Sequence, residues 1–200
     1  FLISSATLIF AIFSFAANNG VFVHSNTTPD AVELYNASSV PVNLEGMRLT
    51  DNPADPDQFI FPAGSTIPAG GYLVVFADSE NTAGIHLDFT PSAEGDALYL
   101  YDSVQRGGVL LDSITFGFQL QNLSVGRLGD GSWNLCQPTM GSANVAAATG
   151  DPLQLKINEW LASGLSLSPD DFVELFNQNA RPVALGSLFL TDEPTGWRNQ

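Results

Sequence analysis

Lysine and arginine are scarce in this 200-residue chain: together they number 6, against 21 Asp and Glu, and the formal net charge is −15. A surface that binds nucleic acid needs clustered Lys and Arg to neutralise phosphates, and attachment to anionic lipid needs the same charges. The composition therefore argues against nucleic-acid binding and against electrostatic docking on a membrane. Apolar residues make up 44% of the chain, which is enough to build a hydrophobic core.

Cysteine occurs only once, at Cys136, so the chain cannot form an internal disulfide. Small secreted eukaryotic scaffolds usually carry paired cysteines. An acidic, lysine-poor chain with a single thiol fits an exported bacterial protein better. Cys136 follows Trp133 in a strand-like segment, and a buried thiol in such a position is chemically inert.

Catalytic motifs are also missing from the sequence, which contains no G-x-S-x-G, no G-x-x-x-x-G-K and no C-x-x-C. The two histidines, His24 and His86, have no partner at the spacing of a metal site. His86 and Asp88 would share one face of a strand, which we interpret as a polar surface. We therefore predict that the chain is not an enzyme and has no cofactor, apart from the weak calcium site considered below.

Residues 1–17 carry no charge, and three interpretations remain open for them. Because Ile, Phe, Thr and Leu dominate, the segment could form the first β-strand of a domain. It also resembles the hydrophobic part of an export signal. A membrane span usually needs about 20 apolar residues and charged flanks, so we expect no membrane insertion of the folded domain.

Short apolar runs separated by turn residues make up most of the remaining sequence. The runs are V-E-L-Y (32–35), M-R-L-T (47–50), F-I-F (59–61), Y-L-V-V-F (72–76), A-L-Y-L-Y (97–101), V-L-L-D-S-I-T-F (109–116) and S-W-N-L (132–135). Gly, Pro, Asn and Asp lie between them, and the runs show no convincing helical periodicity. This pattern predicts an all-β antiparallel sandwich or barrel. The Y-L-V-V-F run is apolar throughout, so we expect it to be a central strand covered on both faces.

An internal repeat divides the chain. Three segments recur with an offset of 141 positions, as from Val32 to Val173. They are V-E-L-Y-N (32–36) with V-E-L-F-N (173–177), P-V-x-L (41–44) with P-V-x-L (182–185), and L-T-D-x-P (49–53) with L-T-D-x-P (190–194). With a short gap, I-F-S-F-x-A (12–17) also matches I-N-E-W-x-A (157–162), which favours a strand at the start of the chain. The repeat predicts a domain over 1–147, a small-residue linker over 148–154 and an incomplete second domain over 155–200.

The order of these segments resembles the bacterial lamin tail domain. The opening segments of the family pattern are found in the second copy as I-N-E-W-L-A-S (157–163), D-F-V-E-L-F-N (171–177), P-V-x-L (182–185) and L-T-D-x-P (190–194). The later segments are found in the first copy as residues 51–77, A-L-Y-L-Y-D (97–102), L-D-S-I-T-F-G (111–117), S-V-G-R-L-G-D-G-S-W (124–133) and P-T-M-G-S-A-N (138–144). The resemblance implies an immunoglobulin-like β-sandwich of the lamin-tail type. It also implies a non-catalytic domain, often arranged in tandem or attached to secreted and surface proteins.

The function implied by this resemblance is an extracellular or cell-surface interaction and spacer module of a larger bacterial protein. Its partners would be other proteins or neighbouring copies of itself. One alternative is a structural repeat of an extracellular filament or surface layer. Another is an accessory module of a secreted hydrolase that binds polysaccharide, for which Trp133, Trp160 and Trp197 could stack on sugar rings. Trp133 and Trp160 also fit core positions.

Two acidic motifs are candidate sites. Asp51, Asp55 and Asp57 place hard oxygen ligands in one loop, as a weak Ca²⁺ site of an extracellular module would need, although the prolines between them also explain a plain turn. Glu33 and Glu174 recur at equivalent positions within apolar strands. Each could recognise a partner, accept structural hydrogen bonds from backbone or Arg donors, or face solvent.

Within the first domain, Arg127 is the candidate hydrogen-bond donor to the Glu33 carboxylate. The two copies differ at one further acidic position, because Ser14 of the first copy aligns with Glu159 of the second.

Overall fold

The computed structural model of the protein describes residues 10–16, 20–78, 82–162, 171–186 and 188–193. The chain divides into two compact units, Phe1–Ala147 and Ala148–Gln200, here called unit 1 and unit 2. The identity of the second unit as an incomplete domain stays a prediction, as do the limits of the linker.

Unit 1 is built from short β-strands joined by turns. The strands are β1 (Phe10–Ala16), β2 (Asp30–Asn36), β3 (Val42–Asn43), β4 (Arg48–Thr50), β5 (Phe59–Ile60), β6 (Thr66–Ile67), β7 (Tyr72–Ala77), β8 (Ile85–His86), β9 (Asp96–Tyr101), β10 (Leu110–Phe116), β11 (Ser124–Arg127), β12 (Trp133–Gln137) and β13 (Val145–Ala146). A short 3-10 helix, Val104–Arg106, lies between β9 and β10. Each apolar run singled out in the sequence of unit 1 contributes a strand.

Two sheets carry most of these strands. The larger has the order β13-β12-β11-β1-β2-β7-β8, and the smaller has the order β10-β9-β4-β5. Neighbouring strands are antiparallel except for β7 and β8, which are parallel. A separate antiparallel pair joins β3 to β6.

The hydrophobic core lies between the two sheets. Val32 and Leu34 of β2 are fully buried, as are Leu49 of β4 and Leu98 and Leu100 of β9, and all five belong to one apolar cluster. Alternate residues of a strand point to the same face, which explains the spacing of two within β2 and within β9. The predicted all-β antiparallel sandwich is confirmed.

The Y-L-V-V-F run forms most of β7, which has partners on both sides. It pairs with β2 along its whole length and with β8 at its end. The adjacent residues Val75 and Phe76 point to opposite faces and are both buried, whereas residues 72–74 are half-buried. The strand is therefore covered on both faces only over its second half, where β8 extends the sheet.

The strand predicted near the start of the chain is present as β1, which lies between β2 and β11. Residues 1–9 and 17 of the uncharged segment lie outside the described residues. A β-bulge interrupts the pairing of β1 with β2 between Ile12 and Ser14. After the bulge, Ser14 is paired with Glu33 on one side and with Gly126 on the other.

Unit 2 contains the antiparallel strands β14 (Leu155–Leu161) and β15 (Phe172–Asn177), preceded by the 3-10 helix Pro152–Gln154. Asp151 caps this helix through a side-chain oxygen that accepts from the backbone N–H of Leu153. Within the described ranges of both units, no helix is long and apolar enough to cross a membrane.

We predict that Leu49→Ala lowers the free energy of unfolding of unit 1 by about 2–5 kcal/mol, because it removes apolar contacts and leaves a void between the sheets. Val109→Ala is the control, since Val109 is exposed, and we expect it to change the same quantity by less than about 0.5 kcal/mol. Urea unfolding followed by circular dichroism measures both. Equal effects of the two substitutions would contradict the placement of the core.

Candidate interaction sites

The three aspartates of the predicted calcium loop do not converge on one point. The loop folds around Thr50, whose Oγ1 lies 3.0 Å from the carbonyl oxygen of Asn52 and 2.9 Å from that of Asp55. The Asp57 carboxylate forms an ion pair with Arg48 at 3.0 Å. Among the residues that the structure describes, no group of three or more His, Cys, Asp or Glu side chains is placed to hold a metal ion. The geometry is that of a hydrogen-bonded turn.

Arg48 anchors this loop to the rest of unit 1. It is buried in β4, and its guanidinium donates to Asp57 and to the carbonyl oxygens of Asp102 and Gly108, at 3.4 and 3.2 Å. The same group lies over the Tyr101 ring, 5.5 Å from its centroid. Arg48 is not among the site residues predicted from the sequence, although a lone arginine inside the apolar run M-R-L-T indicates a buried cation that needs partners.

Glu33 lies at the centre of β2 and is fully buried. Its carboxylate accepts a hydrogen bond from the backbone N–H of Gly141, in the turn between β12 and β13. Because side chains alternate along a strand, Glu33 points away from the core face that holds Val32 and Leu34. The turn therefore covers the outer face of β2. This geometry fits a structural carboxylate and does not fit a solvent-facing one.

Arg127, the candidate donor for Glu33, has Asp112 as its carboxylate partner. One guanidinium nitrogen lies 3.0 Å from both carboxylate oxygens of Asp112, and the group sits 4.8 Å from the centroid of the Trp133 ring. Arg127 belongs to the larger sheet and Asp112 to the smaller one, so the ion pair connects the two layers. Trp133 packs against the core beneath this pair, as expected for a core position.

Glu174 is exposed in β15, unlike its counterpart in β2. Asn158 donates to its Oε1 at 2.9 Å. Glu159 of β14 is paired directly with Glu174, whereas Ser14 takes that place opposite Glu33. Like charges directly opposite each other in a sheet destabilise it, so the serine avoids a repulsion that unit 2 retains.

Unit 2 exposes a continuous set of apolar side chains, here called the unit 2 apolar face. Its members are Ile157, Trp160, Val173, Leu175, Leu185, Leu188 and Leu190. Trp160 is 69% exposed and Leu190 is 64% exposed. A groove of about 360 Å³ runs along part of this face. Exposed apolar patches of this kind mark surfaces that bind another molecule.

Cys136 is the free thiol of unit 1 and is fully buried in β12. Burial raises the pKa of this thiol above its ordinary value of 9.0, and the thiol donates a hydrogen bond to the carbonyl oxygen of Gly126 at 3.8 Å. A thiol that stays protonated is a poor nucleophile, so the position is structural.

We predict that Glu33→Ala lowers the free energy of unfolding by about 1–3 kcal/mol, because the partly buried hydrogen bond between the N–H of Gly141 and the carboxylate is lost. Glu174→Ala is the matched control at the exposed equivalent site, and we expect a change below about 0.5 kcal/mol. Chemical unfolding of both variants measures the difference. An unchanged stability of the Glu33 variant would show that the carboxylate does not hold the turn.

We predict a pH effect from Cys136. The unfolded chain loses the thiol proton near pH 9, while the folded protein retains it to higher pH. The stability that the protonated thiol contributes is therefore present below pH 9 and is lost as the pH rises above it. Comparing the free energy of unfolding of wild type and Cys136→Ala between pH 8 and 10.5 isolates this effect. Parallel curves would contradict it.

Comparison with protein families matches residues 16–118 to the Lamin Tail Domain. The matched range extends from the last residue of β1 to just beyond β10 and includes Glu33, Arg48 and the core strands β2, β4, β7 and β9. A search of curated proteins finds no match to the chain. Lamin tail domains are immunoglobulin-like, and they usually act as non-catalytic modules that mediate contacts between proteins. Since the match covers more than half of the sequence and the strands form the expected sandwich, the chain belongs to the lamin tail domain family.

Proposed function

We propose that this chain is a non-catalytic interaction and spacer module of a larger bacterial surface or secreted protein. In this proposal unit 2 is the first part of a second lamin tail domain in tandem with unit 1. The unit 2 apolar face binds the further strands that complete its sandwich. The exposure of this face is the observation that carries the proposal.

The strand pairing of unit 2 supports the tandem arrangement. Ile157 is paired with Leu175 as Ile12 is with Leu34, and a β-bulge follows in both pairs before Glu159 and Ser14. A bulge inserts one residue at a defined position and is usually a conserved feature of a fold. The recurrence of the bulge at the equivalent position therefore supports a common fold for the two units.

The turns that follow the second strand also have the same hydrogen bonds. Asn36 donates to the carbonyl oxygen of Val40 at 2.8 Å, and Asn177 donates to that of Arg181 at 2.9 Å. In both units the asparagine Oδ1 accepts from the backbone N–H two residues later, at 3.0 and 2.9 Å. Thr191 accepts from the N–H of Glu193 at 2.9 Å, as Thr50 does from the N–H two residues after it.

The two units differ in what covers their apolar residues. Val173 is 44% exposed, whereas the equivalent Val32 is fully buried. The same contrast holds at four further positions, where the residue of unit 2 is exposed and its equivalent in unit 1 is buried. The pairs are Leu175 and Leu34, Leu185 and Leu44, Leu188 and Met47, and Leu190 and Leu49. In unit 1 these residues pack in one cluster with Phe61, Leu98 and Leu100, which come from later in the chain. Strands with the same apolar pattern are therefore the proposed occupants of the unit 2 apolar face.

The extracellular setting rests on composition, because an acidic, lysine-poor chain with a single cysteine fits an exported bacterial protein. A net charge of −15 favours solubility through like-charge repulsion. Protein partners could add a strand to an exposed sheet edge, which provides backbone hydrogen bonds without any catalytic residue. In unit 1 the edge strands β8 and β13 of the larger sheet are only two residues long, whereas β14 and β15 are longer.

Two alternative functions rest on the same face. In a filament or surface layer, a neighbouring copy would cover the unit 2 apolar face. In a polysaccharide-binding module, the exposed Trp160 would stack on a sugar ring. Trp197, the third tryptophan considered for this role, lies outside the described residues.

We predict that the chain binds a hydrophobic fluorescent dye at the unit 2 apolar face. Val173→Glu combined with Leu190→Glu should reduce the dye signal by at least about half, because charged side chains interrupt the apolar surface. The control is Val109→Glu, which changes an exposed valine of unit 1. Dye fluorescence and light scattering during size-exclusion chromatography measure binding and mass.

The outcomes separate the alternatives. A monomer whose dye binding depends on residues 173 and 190 supports the spacer proposal. A series of larger species that the double substitution abolishes favours the filament, and saturable glycan binding lost in Trp160→Ala favours the polysaccharide module. Equal dye binding by wild type and both variants would contradict an accessible apolar face in unit 2.

A further inference from the structure

The two histidines of the chain meet at one end of the larger sheet of unit 1, although they are far apart in the sequence. His86 lies in β8, and His24 lies in the loop between β1 and β2. The backbones of His24 and Thr27 exchange two hydrogen bonds, of 3.0 and 2.8 Å, which fix the loop at this point. The fold thus creates a cluster that the spacing of the residues did not indicate.

Both imidazoles approach the same oxygen atom through the same ring nitrogen. Oγ1 of Thr82 lies 3.2 Å from Nε2 of His24 and 3.3 Å from Nε2 of His86. The ring centroids of the two histidines are 5.9 Å apart. A hydroxyl has one proton and cannot donate to both nitrogens at once.

Asp78 orients one of these rings. Its Oδ1 is hydrogen-bonded to Nδ1 of His86, and the two side chains are only 16% and 13% exposed. Because a carboxylate accepts hydrogen bonds, Nδ1 carries the proton and Nε2 presents its lone pair toward Thr82 when the ring is neutral. A carboxylate behind a histidine is the arrangement that commonly supports a metal-binding imidazole.

The surrounding packing holds the rings in place. His24 stacks on Phe76 with ring centroids 3.8 Å apart and an interplanar angle of 20°. Phe76 is the strand partner of His86. Gly84, with φ of +130°, allows the chain to pass close to this ring, since a Cβ atom there would lie 2.7 Å from the ring of Phe76.

We propose that His24 and His86 bind a divalent transition-metal ion of the Zn²⁺ class through their Nε2 atoms, with Asp78 as a positioning residue. Imidazole nitrogen suits Zn²⁺, Cu²⁺ and Ni²⁺, with Zn–N bonds of about 2.0–2.1 Å. For an ion to lie near the present position of Thr82 Oγ1, the Nε2 atoms of His24 and His86 would each have to move about 1 Å toward that position. Two protein ligands leave the remaining positions to water or to a group from a partner.

The test is titration of the full chain with ZnCl₂, followed by calorimetry and thermal unfolding. We expect one ion per chain and a rise in the unfolding temperature, since the ion binds the folded protein. His24→Gln and His86→Gln should each weaken binding at least about 10-fold, and Asp78→Asn should weaken it about 10–100-fold. Asp88→Asn is the control, because Asp88 is an exposed carboxylate two residues from His86 that makes none of the hydrogen bonds joining His24, Thr82, His86 and Asp78, so its substitution should leave the affinity unchanged.

A second readout identifies the ligand atoms. With two histidines in the chain, a ¹H–¹⁵N spectrum of the imidazoles contains two spin systems. One equivalent of Zn²⁺ should shift the Nε2 resonance of both rings and leave the proton on Nδ1 of His86. Unshifted resonances, or binding that survives the His24 and Asp78 substitutions, would overturn the proposal. The His24 variant keeps the test valid if the His86 variant fails to fold, because His24 lies in a loop.

Discussion

Burial of the inner face of β2 is the constraint on which the rest of unit 1 depends. Val32 and Leu34 must both reach the core, and the alternation of a strand then places Glu33 on the opposite side. A carboxylate in that position is tolerable only if it is hydrogen-bonded, and the turn at Gly141 supplies the donor. The core packing thus determines the path of the chain between β12 and β13.

The ion pairs of unit 1 act at the margins of the same core. Arg127 and Asp112 connect the two sheets at one side, and Arg48 connects β4 to the loops that hold Asp57 and Asp102. Charge-assisted hydrogen bonds of this kind add geometric specificity to apolar packing, which is non-directional. Because acidic residues are abundant in the chain, both arginines have a carboxylate partner: Asp112 for Arg127 and Asp57 for Arg48.

Much of the fold could be predicted from the sequence because its signals are local. The strands follow apolar runs bounded by turn residues, and the repeat of V-E-L-x-N, P-V-x-L and L-T-D-x-P places equivalent strands and turns in both units. The turns after β2 and β15 have the same hydrogen bonds because Asn36 and Asn177 act on residues close to them in sequence. Local chemistry is sufficient to specify such features.

The long-range contacts could not be predicted in the same way. Nothing in the sequence distinguishes Asp112 from other aspartates as the partner of Arg127, and the meeting of His24 with His86 depends on the parallel pairing of β7 with β8. The aspartate-rich loop suggested calcium because its composition is that of a binding loop. In the structure, the conformation of this loop depends on the contact of Thr50 with the carbonyl oxygen of Asp55 and on the ion pair of Arg48 with Asp57. Neither contact could be identified from the sequence, because it depends on which residues the fold brings together.

The bulge in β14 changes the phase of its side chains. Ile157 and Trp160 are three residues apart, yet they lie opposite Leu175 and Val173, which share one face of β15. β15 is regular and still pairs with both halves of β14, because the extra residue is absorbed at the bulge. A bulge bends its strand and increases the local twist, so the edge of β14 opposite β15 is a poorer template for the flat strands of other molecules than a regular strand would be.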